Sequence, residues 1–96
     1  MNDVRYPEIA KESLAGMHFP KGEVLHSKTE MKERQRNLLS ALRLGNEFRT
    51  KVRMTIMTEE GMREVITTIW DVSEEGVSLK SNVFVPLRSI FGVEHE

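Results

Sequence analysis

The spacing of hydrophobic and polar positions changes near residue 50 of this chain. Across residues 28–44, apolar side chains recur at helical spacing, and Ser27 with Glu30 has the sequence of an N-terminal capping box. The apolar face of this predicted helix consists of Met31, Leu38, Leu39 and Leu42. Because glycine readily adopts the left-handed conformation that ends helices, Gly45 and Asn46 predict that the helix ends at Leu44.

Beyond residue 50 the apolar positions alternate, which is typical of strands that bury one face. We predict five strands, over residues 51–58, 62–72, 77–80, 83–85 and 90–94. Residues 62–72 are apolar on both faces, which indicates one long bent strand shared by two walls of a barrel. We expect buried side chains at Val52, Ile56, Val65, Ile69, Val77, Leu79, Val85 and Ile90. Trp70, the only tryptophan, is expected in the barrel core, and the alternative is an exposed platform for stacking.

These elements predict a mainly β fold with an N-terminal helix that covers one end of a small five-stranded antiparallel barrel. A length of 96 residues suits one domain. We assign residues 27–96 to the helix and barrel, and residues 1–26 to an N-terminal arm. In the arm, a short helix of two turns is predicted from Pro7 to Ala15, ended by Gly16.

The order of elements is similar to that of the Sm-like and SH3-like small barrels, with a 3₁₀ turn expected at residues 86–89 before the last strand. The chain from Gly45 to Val93 also resembles a family of short, uncharacterised bacterial proteins. The matching residues are Leu44-Gly45-Asn46, Lys51-Val52, Glu64-Val65-Ile66-Thr67-Thr68-Ile69-Trp70 and Val85-Pro86-Leu87-Arg88-Ser89-Ile90. This resemblance implies the fold and no activity.

RNA-binding Sm proteins use an Asp-x-x-x-Asn stretch and a later Arg-Gly pair. Asp71 matches the first position here, whereas Glu75 stands at the asparagine position and Arg88 is followed by Ser89. A carboxylate at Glu75 would repel phosphate. The Sm resemblance therefore implies the fold more than RNA binding.

A second resemblance is to PilZ domains, which bind cyclic di-GMP. Arg49 and Arg53 have Arg-x-x-x-Arg spacing, and Asp71, Ser73 and Gly76 form Asp-x-Ser-x-x-Gly. Guanidinium groups bind phosphates and guanine edges, which suits such a ligand. The alternative is a charged strand start followed by an ordinary turn, because aspartate and serine often bond their own backbone in turns.

Charge is distributed unevenly. Residues 28–53 carry eight basic and three acidic side chains, whereas residues 54–96 carry three basic and eight acidic ones. The two segments could pair with each other, which we favour, or the basic one could contact phosphate. Lys32 and Arg36 lie on the basic flank of the predicted helix. The candidate contacts for a nucleotide or phosphate are thus Arg49, Arg53, Asp71, Ser73, Lys32 and Arg36.

No cysteine, phosphate-binding glycine loop or nucleophile motif is present, and no two histidines have metal-ligand spacing. We therefore expect no enzymatic activity, no cofactor and no metal site. We also expect a cytoplasmic location, since no segment resembles a membrane span or signal peptide.

The favoured function is a binding or oligomerisation module, whose partner is a second copy or another protein. Residues 54–57 carry no charge, so we expect this strand to be an edge that a second copy or residues 1–26 cover. The alternative is an RNA-binding Sm-like protein or a PilZ-like binder of cyclic di-GMP. Acidic side chains at positions 59, 60, 64, 74 and 75 should repel the phosphates of either ligand, so we expect affinities in the micromolar range or weaker.

Overall fold

Two three-stranded antiparallel sheets and one long helix form the domain. The computed structural model describes residues 5–96, so the first four residues of the predicted arm lie outside the described residues. The helices are α1 (Lys11–Leu14) and α2 (Lys28–Phe48), and a 3₁₀ turn spans Leu87–Ser89. The strands are β1 (Val52–Thr58), β2 (Gly61–Thr67), β3 (Ile69–Val72), β4 (Gly76–Leu79), β5 (Val83–Pro86) and β6 (Ile90–His95).

The sheets have the strand orders β2-β1-β6 and β3-β4-β5. The prediction of five strands in one barrel is wrong, because the strand expected over residues 62–72 is interrupted at Thr68 and forms β2 and β3. The 3₁₀ turn after Pro86 then carries the chain from β5 to the first sheet, where β6 pairs with β1. Within residues 5–96 no strand pairs with a strand of the other sheet, so the barrel does not close.

The core lies between the two sheets and α2. All eight strand positions that we expected to be buried are at most 1% exposed, which confirms that prediction. The buried face of α2 is formed by Arg34, Leu38, Ala41 and Gly45. Leu39, which we expected on that face, is 47% exposed. Because α2 packs against both β3 and β6, it joins the two sheets.

The predicted cap of α2 is confirmed, and its predicted end is not. The Glu30 N–H donates to Ser27 Oγ at 3.1 Å, as expected of the capping residue. The helix continues through Gly45 because the missing side chain lets it approach β3: a Cβ there would lie 2.6 Å from the Ile69 carbonyl oxygen. The helix ends at Phe48, and Arg49 follows with φ 56° and ψ 33°.

The arm packs along the first sheet. The two helical turns predicted for residues 7–15 shorten to the single turn of α1, and the chain before it pairs with β2. The Ile9 N–H donates to the Glu64 carbonyl and the Glu64 N–H to the Pro7 carbonyl, both at 2.9 Å. Leu14 and Leu25 are buried. The arm therefore contributes to the core and covers part of the β2 edge.

The uncharged strand at residues 54–57 is not an edge, contrary to our expectation. It belongs to β1, which lies between β2 and β6, so its backbone groups are paired on both sides. None of the helices in the described part of the chain is long and apolar enough to cross a membrane.

Candidate binding groove

A concave surface of about 510 Å³ lies where the C-terminal end of α2 meets β3. We call it the basic groove, because three of its side chains are cations and none is a carboxylate. Its residues are Gly45, Asn46, Arg49, Lys51, Thr68, Trp70 and Lys80. Groups from the helix end, β3 and the β4–β5 turn thus meet in one place.

Hydrogen bonds from the side chain and to the backbone of Thr68 hold the groove together. The Thr68 hydroxyl donates to the Arg49 carbonyl at 3.4 Å, and the Lys80 N–H donates to the Thr68 carbonyl at 3.2 Å. The Thr68 methyl group also lies in the space that a side chain at Gly45 would need. Close packing at Thr68 therefore sets the positions of both the helix end and Lys80.

Arg49 has an uncommon backbone conformation for its residue type. Its φ of 56° lies in the left-handed region, where the Cβ atom costs non-glycine residues roughly 1–2 kcal/mol. The Arg49 N–H donates to the Gly45 carbonyl at 2.9 Å, which satisfies one of the free carbonyl groups at the helix end. Glycine adopts the left-handed conformation without this cost, so the presence of an arginine side chain at position 49 needs an explanation.

Trp70 is 49% exposed, so the prediction that it lies in the core is wrong. The β3–β4 pairing shifts register between Ile69 and Asp71, which makes Trp70 the extra residue of a bulge. The sequence contained a signal for this outcome. Val65 and Ile69 were both predicted to point inward, and strict alternation from them directs Trp70 to the opposite face.

The cations of the basic groove are not neutralised. Among residues 5–96, no carboxylate lies within salt-bridge distance of Arg49, Lys51 or Lys80. The carboxylates that we expected to weaken phosphate binding lie elsewhere: Glu59 and Glu60 in the β1–β2 turn, Glu64 beneath the arm, and Glu74 and Glu75 in the β3–β4 turn. That reason for weak binding does not apply to this groove.

Arg53 lies outside the groove, in a cluster of carboxylates. Its guanidinium donates to Glu64 at 2.7 Å and to Glu96 at 3.2 Å, and Glu8 lies 3.9 Å away. Hydrogen bonding to Glu64 raises the pKa of Arg53 further. The positive charge is therefore already paired, and Arg53 offers little to an anionic ligand.

Glu64 is the buried centre of that cluster, at 3% exposure. Burial alone would raise its pKa, but the Tyr6 N–H at 3.2 Å and the Arg53 guanidinium stabilise the charged form. Together they hold the pKa of Glu64 below its usual range. The cluster fastens the start of the arm to the first sheet.

The remaining candidates from the sequence are dispersed. Ser73 Oγ accepts hydrogen bonds from the Glu75 and Gly76 N–H groups, so Ser73 is occupied in its own turn. Lys32 and Arg36 are exposed on α2, away from the groove, and Asp71 is exposed beside Trp70. Of the six candidates, Arg49 alone lines the basic groove. The sequence singled out neither Lys51 nor Lys80, which are too far apart in the chain to form a motif, and for Trp70 a stacking role was the less favoured alternative.

No family model, no curated protein and no solved structure matches this chain. Within residues 5–96, no three histidine, aspartate or glutamate side chains are grouped closely enough to hold a metal ion. The arrangement in the basic groove is suited to binding: cations for an anion, and a half-exposed indole for a flat apolar group.

Proposed function

We propose that this protein is a non-enzymatic binding module whose basic groove holds a nucleotide unit, with its base stacked on Trp70 and its phosphate on the cations. The ligand class is single-stranded nucleic acid or a free nucleotide. The observation that carries the proposal is a 49% exposed indole in the same concavity as three cations that have no carboxylate partner among the described residues.

Stacking and charge contribute separately to the proposed affinity. A base stacked on an aromatic side chain typically contributes about 1–3 kcal/mol, whatever the base. Arg49 supplies a planar fork for phosphate oxygens, whereas Lys51 and Lys80 act as point charges. The C-terminal end of α2 carries partial negative charge, which Arg49 and Lys51 offset. With three cations and one exposed ring, we expect binding in the micromolar range.

The relationship to Sm-like and SH3-like barrels is part of the same proposal. Two small antiparallel sheets, a helix before the first strand and a 3₁₀ turn before the last support it. Members of such folds have diverse functions, so the fold alone does not assign a ligand. The expected cytoplasmic location stays a prediction.

The test is a titration of a fluorescein-labelled single-stranded hexanucleotide, followed by fluorescence anisotropy. We expect a micromolar Kd that weakens with salt, by about two log units per log unit of salt for three phosphate contacts. The variant Arg49→Ala/Lys51→Ala/Lys80→Ala should lose binding. The matched control is Lys32→Ala/Arg36→Ala, which removes exposed cations outside the groove and should bind normally. Equal affinities of both variants would contradict the proposal.

Self-association is a second candidate function, because the outer face of the first sheet has a concavity of about 460 Å³ lined in part by Met57, Met62 and Phe91. A second copy related by a two-fold axis would bury these apolar side chains against the same residues of its partner. Sedimentation equilibrium of the wild type and of Met57→Glu tests this. We expect a dimer that the substitution dissociates, and a monomeric wild type would exclude it.

A further inference from the structure

Trp70 shares the outer face of the second sheet with another exposed aromatic side chain. Phe84 of β5 is also 49% exposed. In the strand register, Asp71 of β3 lies opposite Ser78 of β4, and Ser78 lies opposite Phe84. These three residues form one row across the sheet, on the face away from the buried Val77 and Leu79. Trp70 stands at one end of that row, next to Asp71.

The Phe84 ring packs over Gly76 of β4. A Cβ at Gly76 would collide with the Cζ atom of the ring, so glycine leaves the room that the ring occupies, while the side chain stays 49% exposed. Ser78, between the two aromatic residues, has a small side chain that leaves the space between them open. Two exposed aromatic side chains, the small Ser78 and the exposed carboxylate of Asp71 therefore share this face of the sheet, and a strand that crosses it must turn its phosphates away from Asp71.

The spacing of the two rings suits two different bases. The Phe84 ring lies over Gly76 of β4, and the Ser73 N–H donates to the Gly76 carbonyl, so the ring is level with a position three residues along the chain from Trp70. At about 3.3 Å per residue, that places the ring roughly 10 Å from Trp70 along the sheet. Bases stacked directly on each other are separated by about 3.4 Å. A single base, or two bases stacked together, would not reach both rings. An unstacked strand, with one base on Trp70 and a later base on Phe84, would.

We propose that the ligand is a short single strand of nucleic acid that runs from the basic groove across the second sheet, with Phe84 as a second stacking position. This inference rests on the proposed function, since it extends the same site. The beginning of the path has Arg49, Lys51 and Lys80 for the phosphates. At its far end, the exposed Glu74 and Glu75 precede Gly76, beneath the Phe84 ring. Those carboxylates repel further phosphates, so the footprint ends after about three nucleotides.

The test measures quenching of Trp70 fluorescence, which comes from the only tryptophan. The probes are a nucleoside monophosphate, a trinucleotide and a hexanucleotide. One additional stacked base corresponds to roughly 5- to 150-fold in affinity, so the trinucleotide should bind at least fivefold more tightly than the monophosphate. The hexanucleotide should gain no more than about twofold over the trinucleotide. Equal binding of monophosphate and trinucleotide would overturn the inference.

Variants of Phe84 test the second position directly. Phe84→Ala should reduce trinucleotide affinity at least fivefold and leave monophosphate binding unchanged. Phe84→Leu keeps an apolar cover over Gly76 but has no aromatic face, so it should lose the same affinity while the fold is retained, as circular dichroism will show. The matched control is Phe48→Ala, which removes a 70% exposed ring from α2. Unchanged trinucleotide affinity in folded Phe84→Leu would refute the second position.

Two further comparisons separate the possible failures. If the monophosphate quenches Trp70 and Lys80→Ala abolishes this, while the Phe84 variants change nothing, the basic groove stands and the longer path is wrong. If neither the monophosphate nor the oligonucleotides bind, the proposed function itself is wrong. Ribo- and deoxyribotrinucleotides should bind within about threefold of each other, because the rings contact bases. A much larger preference would contradict stacking as the main interaction.

Discussion

Arg34 of α2 donates two hydrogen bonds to the carboxylate of Glu23 in the arm, Nη1 to Oε2 at 2.7 Å and Nη2 to Oε1 at 2.8 Å. Arg34 Nη1 also donates to the Ile90 carbonyl at 2.9 Å. Arg34 is 5% exposed, so this bidentate pair joins the arm, α2 and β6 around a buried charge. The arm is thereby held in place by the ion pair between Arg34 and Glu23 as well as by the burial of Leu14 and Leu25.

Removal of Glu23 should destabilise the protein because it leaves the Arg34 guanidinium without its counter-ion. For Glu23→Ala we expect a loss of about 2 kcal/mol in the free energy of unfolding, typical of hydrogen bonds to charged groups that are partly exposed. Urea denaturation measures this loss. The control is Glu12→Ala, which removes the carboxylate of the exposed pair between Glu12 and Lys11 and should have no measurable effect. Similar midpoints for Glu23→Ala and the wild type would contradict the anchoring role.

Acid should weaken the fold through the same carboxylates. The hydrogen bond from Arg34 lowers the pKa of Glu23 in the folded state. At Glu64, the Tyr6 N–H and Arg53 outweigh the effect of burial and also lower the pKa. Both carboxylates therefore stabilise the folded state above their usual pKa of 4.5 and lose that effect as the pH falls through the lowered values. Melting temperatures measured from about pH 6 to pH 3 should fall steeply, and less steeply in Glu23→Gln/Glu64→Gln.

Alanine at position 45 should destabilise the protein, although alanine favours helices by about 1 kcal/mol over glycine. The new Cβ would lie 2.6 Å from the Ile69 carbonyl oxygen, a backbone atom that cannot rotate away, so α2 must move off β3. We expect a net loss of about 1–3 kcal/mol, in the range of overpacked sites, by urea denaturation. Gly16→Ala is the control, since nothing lies within 4 Å of a Cβ there. A stabilised Gly45→Ala would show that the helix end is not closely packed.

Gly45 also illustrates which parts of the fold the sequence could predict. The period of two identifies the inward side of each strand from local spacing, so all eight predicted core positions were correct. The role of Gly45 depends on Ile69, which is distant in sequence, and a glycine that ends a helix looks the same as one that lets a helix pack closely. The burial of Arg34 on the inner face of α2 could not be predicted either, because its partner Glu23 lies in an arm without a clear sequence pattern.

The candidate site was less predictable than the core. Lys51 and Lys80 are ordinary surface cations in the sequence, and only the interruption at Thr68 brings them to the same groove. The break between β2 and β3 follows from no single residue, so a continuous strand was the natural expectation for residues 62–72. Alternation along the strand places Trp70 outside the core. The prediction gave more weight to the usual preference of tryptophan for burial, and it was wrong for that reason.

Arg49 should lower the stability of the fold and strengthen ligand binding. Variants at this position therefore give the most selective test of the basic groove. Its left-handed backbone is costly for arginine and not for glycine, and the greater freedom of glycine in the unfolded chain offsets part of that difference. We therefore expect Arg49→Gly to stabilise the protein by about 0.5–1 kcal/mol in urea denaturation while weakening hexanucleotide binding. Arg49→Lys keeps a charge and the backbone cost, so it should bind better than Arg49→Gly and be less stable. If Arg49→Gly were stabilised with unchanged affinity, Arg49 would not contact the ligand. If it were destabilised, the side chain would hold the helix end in place, and its conformation would need no binding role to explain it.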